Sequence, residues 1–281
     1  MNMVEEYVNT SKLQYQDAID IIDEFHKEIS ETRGKCIDVG CGPGDVTKNL
    51  LLPKLPSGVE VVGSDISKSM IEYARQKYQG EKRLSFTCLD IQTEELPNEH
   101  VEQYHGLFSF FCFHWCQNMG RTFENVWKML RPGGTALAMF LASTEVFNAY
   151  EKLHKNPRYK PYMQDVDRFV PYFHRCKDPR AAFRKILEDI GFEILHCSRR
   201  DRTFIFRNSQ SLKDFMIPIT PFVSRIPDQE LQNEFMDALM REITVMKIQF
   251  SDEDYSDQRE LGILGRYQLL VAYIKKPCDV R

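Results

Sequence analysis

Lys35 to Asp65 reads K-C-I-D-V-G-C-G-P-G-D-V-T-K-N-L-L-L-P-K-L-P-S-G-V-E-V-V-G-S-D. An apolar run, Cys36-Ile37-Asp38-Val39, breaks into Gly40-Cys41-Gly42-Pro43-Gly44, and Asp45-Val46-Thr47 opens an amphipathic segment through Leu55. After Pro56-Ser57-Gly58 comes a second apolar run, Val59 to Gly63, and then Asp65. The order is strand, glycine turn, helix, turn, strand, with an acid at the tip of the second strand, which is half of a nucleotide-binding α/β unit. Glycines at 40, 42 and 44 let the backbone turn sharply and approach a ligand with no Cβ in the way. The helix from Asp45 aims its free N–H groups over that turn. Asp65, 25 positions after Gly40, stands where an acid reaches a ribose diol.

The glycine spacing narrows the ligand. A dinucleotide fingerprint is G-x-G-x-x-G, whereas this chain has G-x-G-x-G with a stiffening Pro43 and an acid, Asp38, before the first glycine. A carboxylate there suits a cation better than a pyrophosphate. S-adenosylmethionine carries a sulfonium and an ammonium, and has a ribose for Asp65. The pattern resembles the first two motifs of class I SAM-dependent methyltransferases.

The rest of the composition is compatible with one domain carrying an insertion. The 281 residues have 37 basic and 41 acidic side chains, a net charge of −4 without long runs of either sign, which argues against a nucleic-acid surface. The eight cysteines, at 36, 41, 88, 112, 116, 176, 197 and 278, include no C-x-x-C pair. They read as reduced thiols of a cytoplasmic protein, not a disulfide framework or a metal site. Met1 to Tyr15 is polar, unlike a signal peptide, and the longest apolar run, Ala136 to Ala142, is too short to span a bilayer. A homodimer is left open.

Along the chain, Leu13 to Ile29 carries the helical stripe Ala18, Ile21, Ile22, Phe25, Ile29. Gln14 falls on that same apolar face, so its amide must find partners, in the core or in water at a frayed first turn. Ser67 caps a helix through Tyr78. Leu84 to Leu89 is a third strand followed by Asp90-Ile91. Tyr104 to Phe113 is a fourth, delivering His114-Trp115 past its end. Asn118 to Leu130 is a helix, Arg131-Pro132-Gly133-Gly134 a turn, and Thr135 to Leu141 a fifth strand. This alternation predicts a Rossmann-like, mostly parallel seven-stranded sheet with helices on both faces. Residues 143–176 and 209–248, rich in aromatic and aliphatic side chains, read as helical insertions capping a substrate site; the second carries Leu231, Phe235, Leu239, Ile243 and Met246 at helical spacing. A helix from Asp178-Pro179 to Ile190 lies between them, then a strand from Phe192 to Phe206 bent near Arg199 to Arg202. Tyr267 to Ile274 is a closing strand.

Ligands in open α/β sheets bind beyond the carboxyl ends of the strands, which gathers Gly40 to Gly44, Asp65, Asp90 and His114-Trp115 around one crevice. Asp90 is placed to accept from an adenine amino group, with Ile91 on the ring. Leu13-Gln14-x-x-Asp17-Ala18, Asp38-Val39-Gly40-Cys41-Gly42, Gly63-x-Asp65-Ile66-Ser67, Leu89-Asp90-Ile91 and Phe110-x-x-x-His114-Trp115-x-Gln117-Asn118 together resemble the insect juvenile hormone acid O-methyltransferases, most densely over residues 7 to 135. The resemblance implies methyl transfer from SAM, leaving S-adenosyl-L-homocysteine, to the terminal carboxylate of farnesoic acid or juvenile hormone acid. It implies that Gln14 and Trp115 hold the carboxylate, and that Asp38, Gly40, Cys41, Gly42, Asp65, Ile66, Asp90, Ile91 and Phe110 hold the cofactor.

The chemistry fits sparse equipment. A carboxylate, with a pKa of about 4, is already ionised near neutrality, so no general base and no metal is required, and His114 is expected to pack rather than to take a proton. The Gln14 amide and the Trp115 indole supply N–H donors to a pure acceptor. The rival readings are a methyltransferase for another carboxylic acid, a fatty acid or a dicarboxylate anchored by Arg158, Arg168 or Arg175, and a SAM-binding scaffold without chemistry. A nucleic-acid methyltransferase would need the N/D-P-P-Y-type motif that is missing after the fourth strand.

Overall fold

The structure is a computed structural model and describes residues 12–243, 247–249 and 261–278. Its centre is a twisted sheet in the order β3-β2-β1-β4-β5-β8-β6, with β7 on β8. The strands are β1 (Lys35–Val39), β2 (Glu60–Asp65), β3 (Leu84–Cys88), β4 (Tyr104–Phe110), β5 (Leu130–Thr144), β6 (Glu193–Phe206), β7 (Lys247–Gln249) and β8 (Leu261–Lys275). The first five run parallel, and β8 pairs antiparallel with both β5 and β6. Parallel pairing puts the carboxyl ends of β1 to β4 on one edge, and that edge carries the glycine turn, Asp65 and the His114-Trp115 loop.

The helices are α1 (Lys12–Glu24), α2 (His26–Ser30), α3 (Lys68–Lys77), α4 (Met119–Met129), α5 (Glu145–His154), α6 (Pro179–Ile190), α7 (Ser209–Met216) and α8 (Gln229–Ile243). Thr47–Leu51 winds as a π-helical turn. Two cores flank the sheet. On one face Phe123, Val126, Phe183 and Leu187 of α4 and α6 pack on Leu107, Ala138 and Leu270. On the other, Ala18, Ile21, Ile22 and Phe25 pack on Leu137, Met139 and Leu269. Burying side chains the size of Ile21, Ile22 and Phe25 stabilises that docking by about 1.5–3 kcal/mol each. A third cluster lies above the sheet, where Phe147 and Tyr150 of α5, Leu212 and Met216 of α7, and Phe235 and Leu239 of α8 form a cap.

Several expectations change at their boundaries. The stripe read as one helix from Leu13 to Ile29 breaks at Phe25, whose backbone (φ −96, ψ 24) leaves the helix while its ring packs edge-on against His196. β4 stops at Phe110, not Phe113, because Phe111 turns to φ +55. The turn expected at Arg131 to Gly134 is a bulge within β5, since Tyr104 pairs Leu130 while Gly106 pairs Thr135. The bend in β6 falls between Ile194 and His196, where the register with β8 shifts, and not at Arg199 to Arg202. Helices α5, α7 and α8 fall within 143–176 and 209–248, but Ser143 and Thr144 belong to β5 and Lys247 and Ile248 to β7, and the expected stripe residue Met246 lies outside the described residues, as do residues 1–11 of the polar N-terminus.

Candidate active site

The turn after β1 is held from three sides. The N–H groups of Gly40 and Cys41 both donate to the Ser64 carbonyl, at 2.7 and 2.9 Å. Gly40 has φ +76, and a Cβ there would lie 2.2 Å from Cys112; only glycine lets the turn seat against the segment after β4. Gly42 has φ +54, and a Cβ on it would meet nothing within 4 Å, so the space beside it is open. Its N–H donates to Asp65 Oδ2 at 2.9 Å, while Asp65 Oδ1 accepts from the Ser67 N–H at 2.8 Å. In this structure Asp65 therefore ties the turn to the tip of β2, and each of its oxygens keeps a lone pair for a further donor.

Two cavities meet above this edge. The smaller, about 60 Å³, is lined by Gln14, Tyr15, Asp38, Gly40, Cys41, Gly42, Pro43, Asp45, Val46, Phe110 and Phe111. The larger, about 320 Å³, is lined by Leu13, Gln14, Phe111, His114, Trp115, Leu141, Val146, Phe147, Tyr150, Phe204, Phe206, Leu212, Phe215, Met216, Ile219, Ile243, Ile263 and Tyr267, with Thr144, Glu145, Leu264, Gly265 and Arg266. Gln14 and Phe111 belong to both linings. They stand at the junction between a small chamber that includes the acids Asp38 and Asp45 and a larger, mostly apolar one.

The small chamber carries a buried acid. Asp38 is 1 % exposed; its Oδ2 accepts from Thr47 Oγ1 at 2.6 Å, but its buried Oδ1 has no partner. Burial pushes this carboxyl up to about 7, with the Thr47 bond opposing and the charge of Asp65 adding. Burial also raises Asp65 against its two N–H bonds. An unpartnered buried carboxylate oxygen is costly, and a ligand's ammonium or sulfonium relieves that cost. The residues present therefore fit SAM: Asp38 toward its positive charge, with the open space beside Gly42 admitting its backbone-like end.

At the junction, Gln14 is half-buried on the first turn of α1, and its Oε1 is buried without a partner. The two ends of an amide are interchangeable in shape, so the vacancy accommodates a donor or, with the amide reversed so that its NH2 faces the junction, an acceptor such as a carboxylate. His114 is buried, its Nδ1 unpartnered and its pKa pushed down to about 3 by desolvation. It is neutral at pH 7. Trp115 is 44 % exposed; its ring lies 4.6 Å from that of His114 and 6.4 Å, edge-on, from Phe169 of the cap. Gln117 joins this loop to the cap, donating to the carbonyls of Arg168 and Val170 at 3.0 and 3.2 Å.

Of the residues singled out from sequence, Gln14 and Trp115 come together on the apolar chamber, and Asp38, Gly40, Cys41, Gly42 and Phe110 on the smaller one. Asp65, Ile66, Asp90 and Ile91 line neither. Ile66 is 66 % exposed and Ile91 is packed in the core beside Val62 and Leu89. Asp90 is exposed and accepts from the Gln92 N–H at 2.8 Å. Sequence reading missed Phe111, whose only signal was its place at the end of an apolar strand. Its left-handed backbone, rare for an aromatic residue, turns the chain into the wall shared by the two chambers.

Residues 37–136 match the family described as a methyltransferase domain. The chain is 35 % identical to the juvenile hormone acid O-methyltransferase of Drosophila melanogaster over 98 % of its length and 93 % of that protein's. It is 28 % identical to the enzyme of the same description from Bombyx mori over 99 % of both. The chain belongs to the juvenile hormone acid O-methyltransferase family. It is a SAM-dependent carboxyl O-methyltransferase with the class I fold. A solved structure of a Haemonchus contortus phosphoethanolamine N-methyltransferase, with S-adenosylhomocysteine bound, shares that fold at 14 % identity, covering 98 % of this chain and 57 % of that one with a TM-score of 0.55. Among the described residues no helix is long and apolar enough to cross a membrane.

Proposed function

We propose that this family member methylates the terminal carboxylate of a long apolar acid of the farnesoic acid or juvenile hormone acid type. The observation that carries the reading is the junction: a chamber with a buried acid and an apolar chamber of about 320 Å³ share Gln14 and Phe111. The larger volume falls within the roughly 300–1,000 Å³ of small-molecule sites. Its walls come in part from the insertions expected to cap the substrate and in part from α1, the Phe111 to Trp115 segment, β5, β6 and β8.

SAM, which Asp38 and the Gly40 to Gly42 turn would hold, would supply a sulfonium-activated methyl for a carboxylate oxygen, with S-adenosyl-L-homocysteine as the leaving group. Gln14 and the indole N–H of Trp115 hold the carboxylate at the mouth between the chambers. Neutral His114 takes no proton, and none needs taking. Phe111 and the apolar wall keep water from the carboxylate, and fixed orientation of the acid is the protein's main contribution, worth up to roughly 7–11 kcal/mol in well-aligned reactants.

The wall also argues against a dicarboxylate. Arg158 is paired with Glu234 at 2.8 Å, Arg168 lies near Asp165, and Arg175 is paired with Glu151 and Asp167; none of the three lines the chamber. The arginine that does, Arg266, shares it with Glu145. The test is transfer of labelled methyl from SAM to farnesoic acid, lauric acid and trans-aconitic acid in parallel. Strong preference for farnesoic acid is expected. Equal or better transfer to lauric acid would replace the terpenoid with a fatty acid, and transfer to trans-aconitic acid would remove the apolar-acid reading altogether.

A further inference from the structure

The Leu13-Gln14-x-x-Asp17-Ala18 stretch contains a second polar residue with no role in the chemistry above. Asp17 is 2 % exposed and accepts two side-chain hydrogen bonds from residues far along the chain, with a further guanidinium nitrogen at ion-pair distance. Arg202 Nε donates to its Oδ1 at 2.9 Å, a second guanidinium nitrogen lies 2.7 Å from the same oxygen, and the Tyr267 hydroxyl donates to Oδ2 at 2.7 Å. Arg202 of β6 and Tyr267 of β8 are directly opposite in the sheet register, so one rung of two strands grips one carboxylate. Arg202 also pairs with Asp20, and Arg200 with Glu24, at 2.8 Å. Acids at 17, 20 and 24 of α1 thus face arginines at 200 and 202 of β6.

Packing does not require this arrangement. Ala18, Ile21, Ile22 and Phe25 already bury the apolar face of α1, and a buried ion pair rarely stabilises more than an apolar replacement of similar volume. What a carboxylate held by two directed hydrogen bonds and an ion pair adds is one rotation and one axial register for the helix. Those are the coordinates that place Gln14, three residues earlier on the same face and about 4.5 Å along the axis. Tyr267 is at once a donor to Asp17 and part of the wall of the apolar chamber, so the grip ties the helix that bears Gln14 directly to the substrate wall.

We propose that Asp17, held by Arg202 and Tyr267, is a positioning residue: it sets the Gln14 amide at the junction of the two chambers. This rests on the assignment of Gln14 to the substrate carboxylate. The misplacement it prevents is of the kind that costs about 100-fold per ångström.

The experiment is a double-mutant cycle of Tyr267→Phe with Gln14→Ala, read in steady-state kinetics on the acid and in SAM binding. Tyr267→Phe removes one hydroxyl and keeps the apolar wall. It is expected to lower kcat about 10- to 100-fold with unchanged SAM affinity, and to have no further effect once Gln14 is alanine. Arg202→Lys, which keeps the charge and loses the forked geometry, provides a second cycle with the same expectation should Tyr267→Phe fold poorly. Glu24→Gln breaks the neighbouring ion pair of the same helix and is expected to leave kcat unchanged, whatever it does to the melting temperature. Independent, multiplying losses in the cycle, or an unchanged kcat in Tyr267→Phe, would overturn the positioning role while leaving the function of Gln14 intact. Full activity in Gln14→Ala alone would instead overturn the carboxylate assignment and this inference with it.

Discussion

Asp38 makes cofactor binding depend on pH in a calculable way. Its carboxyl is pushed from 3.8 up to about 7 by complete burial, and one oxygen has no partner. A shift of about 3 units corresponds to about 4 kcal/mol between protonation states. Because the folded carboxyl holds its proton more tightly than the unfolded one, this group's contribution to the ligand-free fold is greatest below its unfolded pKa. That contribution is lost as pH rises toward about 7. A cation binds the ionised form, so the sign reverses for affinity. With an α-amino group of pKa about 7.7–8.0, SAM stays cationic through this window, and His114, held near 3, does not titrate in it. Calorimetric titration of SAM should therefore show the dissociation constant falling about tenfold per pH unit from about pH 5.5 to about 7, about 1.4 kcal/mol per unit, and then levelling. In Asp38→Asn the affinity should be weaker and most of the slope gone. A dissociation constant in the unmodified enzyme that stays level over this range would refute the reasoning, as would an undiminished slope in Asp38→Asn.

Gly40→Ala places a methyl 2.2 Å from Cys112 at φ +76, and should cost about 2–5 kcal/mol in chemical denaturation from left-handed strain plus overpacking. Gly42→Ala, with nothing within 4 Å, should lose only about 1–2 kcal/mol while weakening SAM binding measurably. His114→Ala should keep substantial activity at equal folding, because the imidazole is neutral and the nucleophile needs no base, whereas Gln14→Ala and Trp115→Ala should lose far more in methyl transfer. An inactive His114→Ala beside an active Gln14→Ala would reverse these roles.

The half of the site built from contiguous residues was legible before any coordinates. Glycines at φ +76 and +54 and the acid before them lie within one turn of chain, where local geometry dictates their spacing, and the next strand and helix break set the acid at its tip 25 positions after Gly40. Gln14 was visible as an oddity, a polar residue on an apolar helical face, and the resemblance proposes for it a purpose that needs its amide, buried without a partner at one end, to turn its NH2 toward the ligand. Asp90 and Ile91 show where such reading stops: spacing put them at a strand end, but only packing decided that Ile91 faces the core.

By itself, then, the sequence determined the strand and helix alternation, the cofactor turn and the residue types that could meet a carboxylate, because periodicity, glycine conformation and capping act over a few residues. Only the tertiary structure decided that Phe111 turns left-handed between two chambers and that the cap arginines are spent on ion pairs. It alone decided that Asp17 is gripped by Arg202 and Tyr267. Those outcomes depend on strands and helices separated by up to 250 positions, whose register is set by sheet pairing and burial, and no local pattern carries that information.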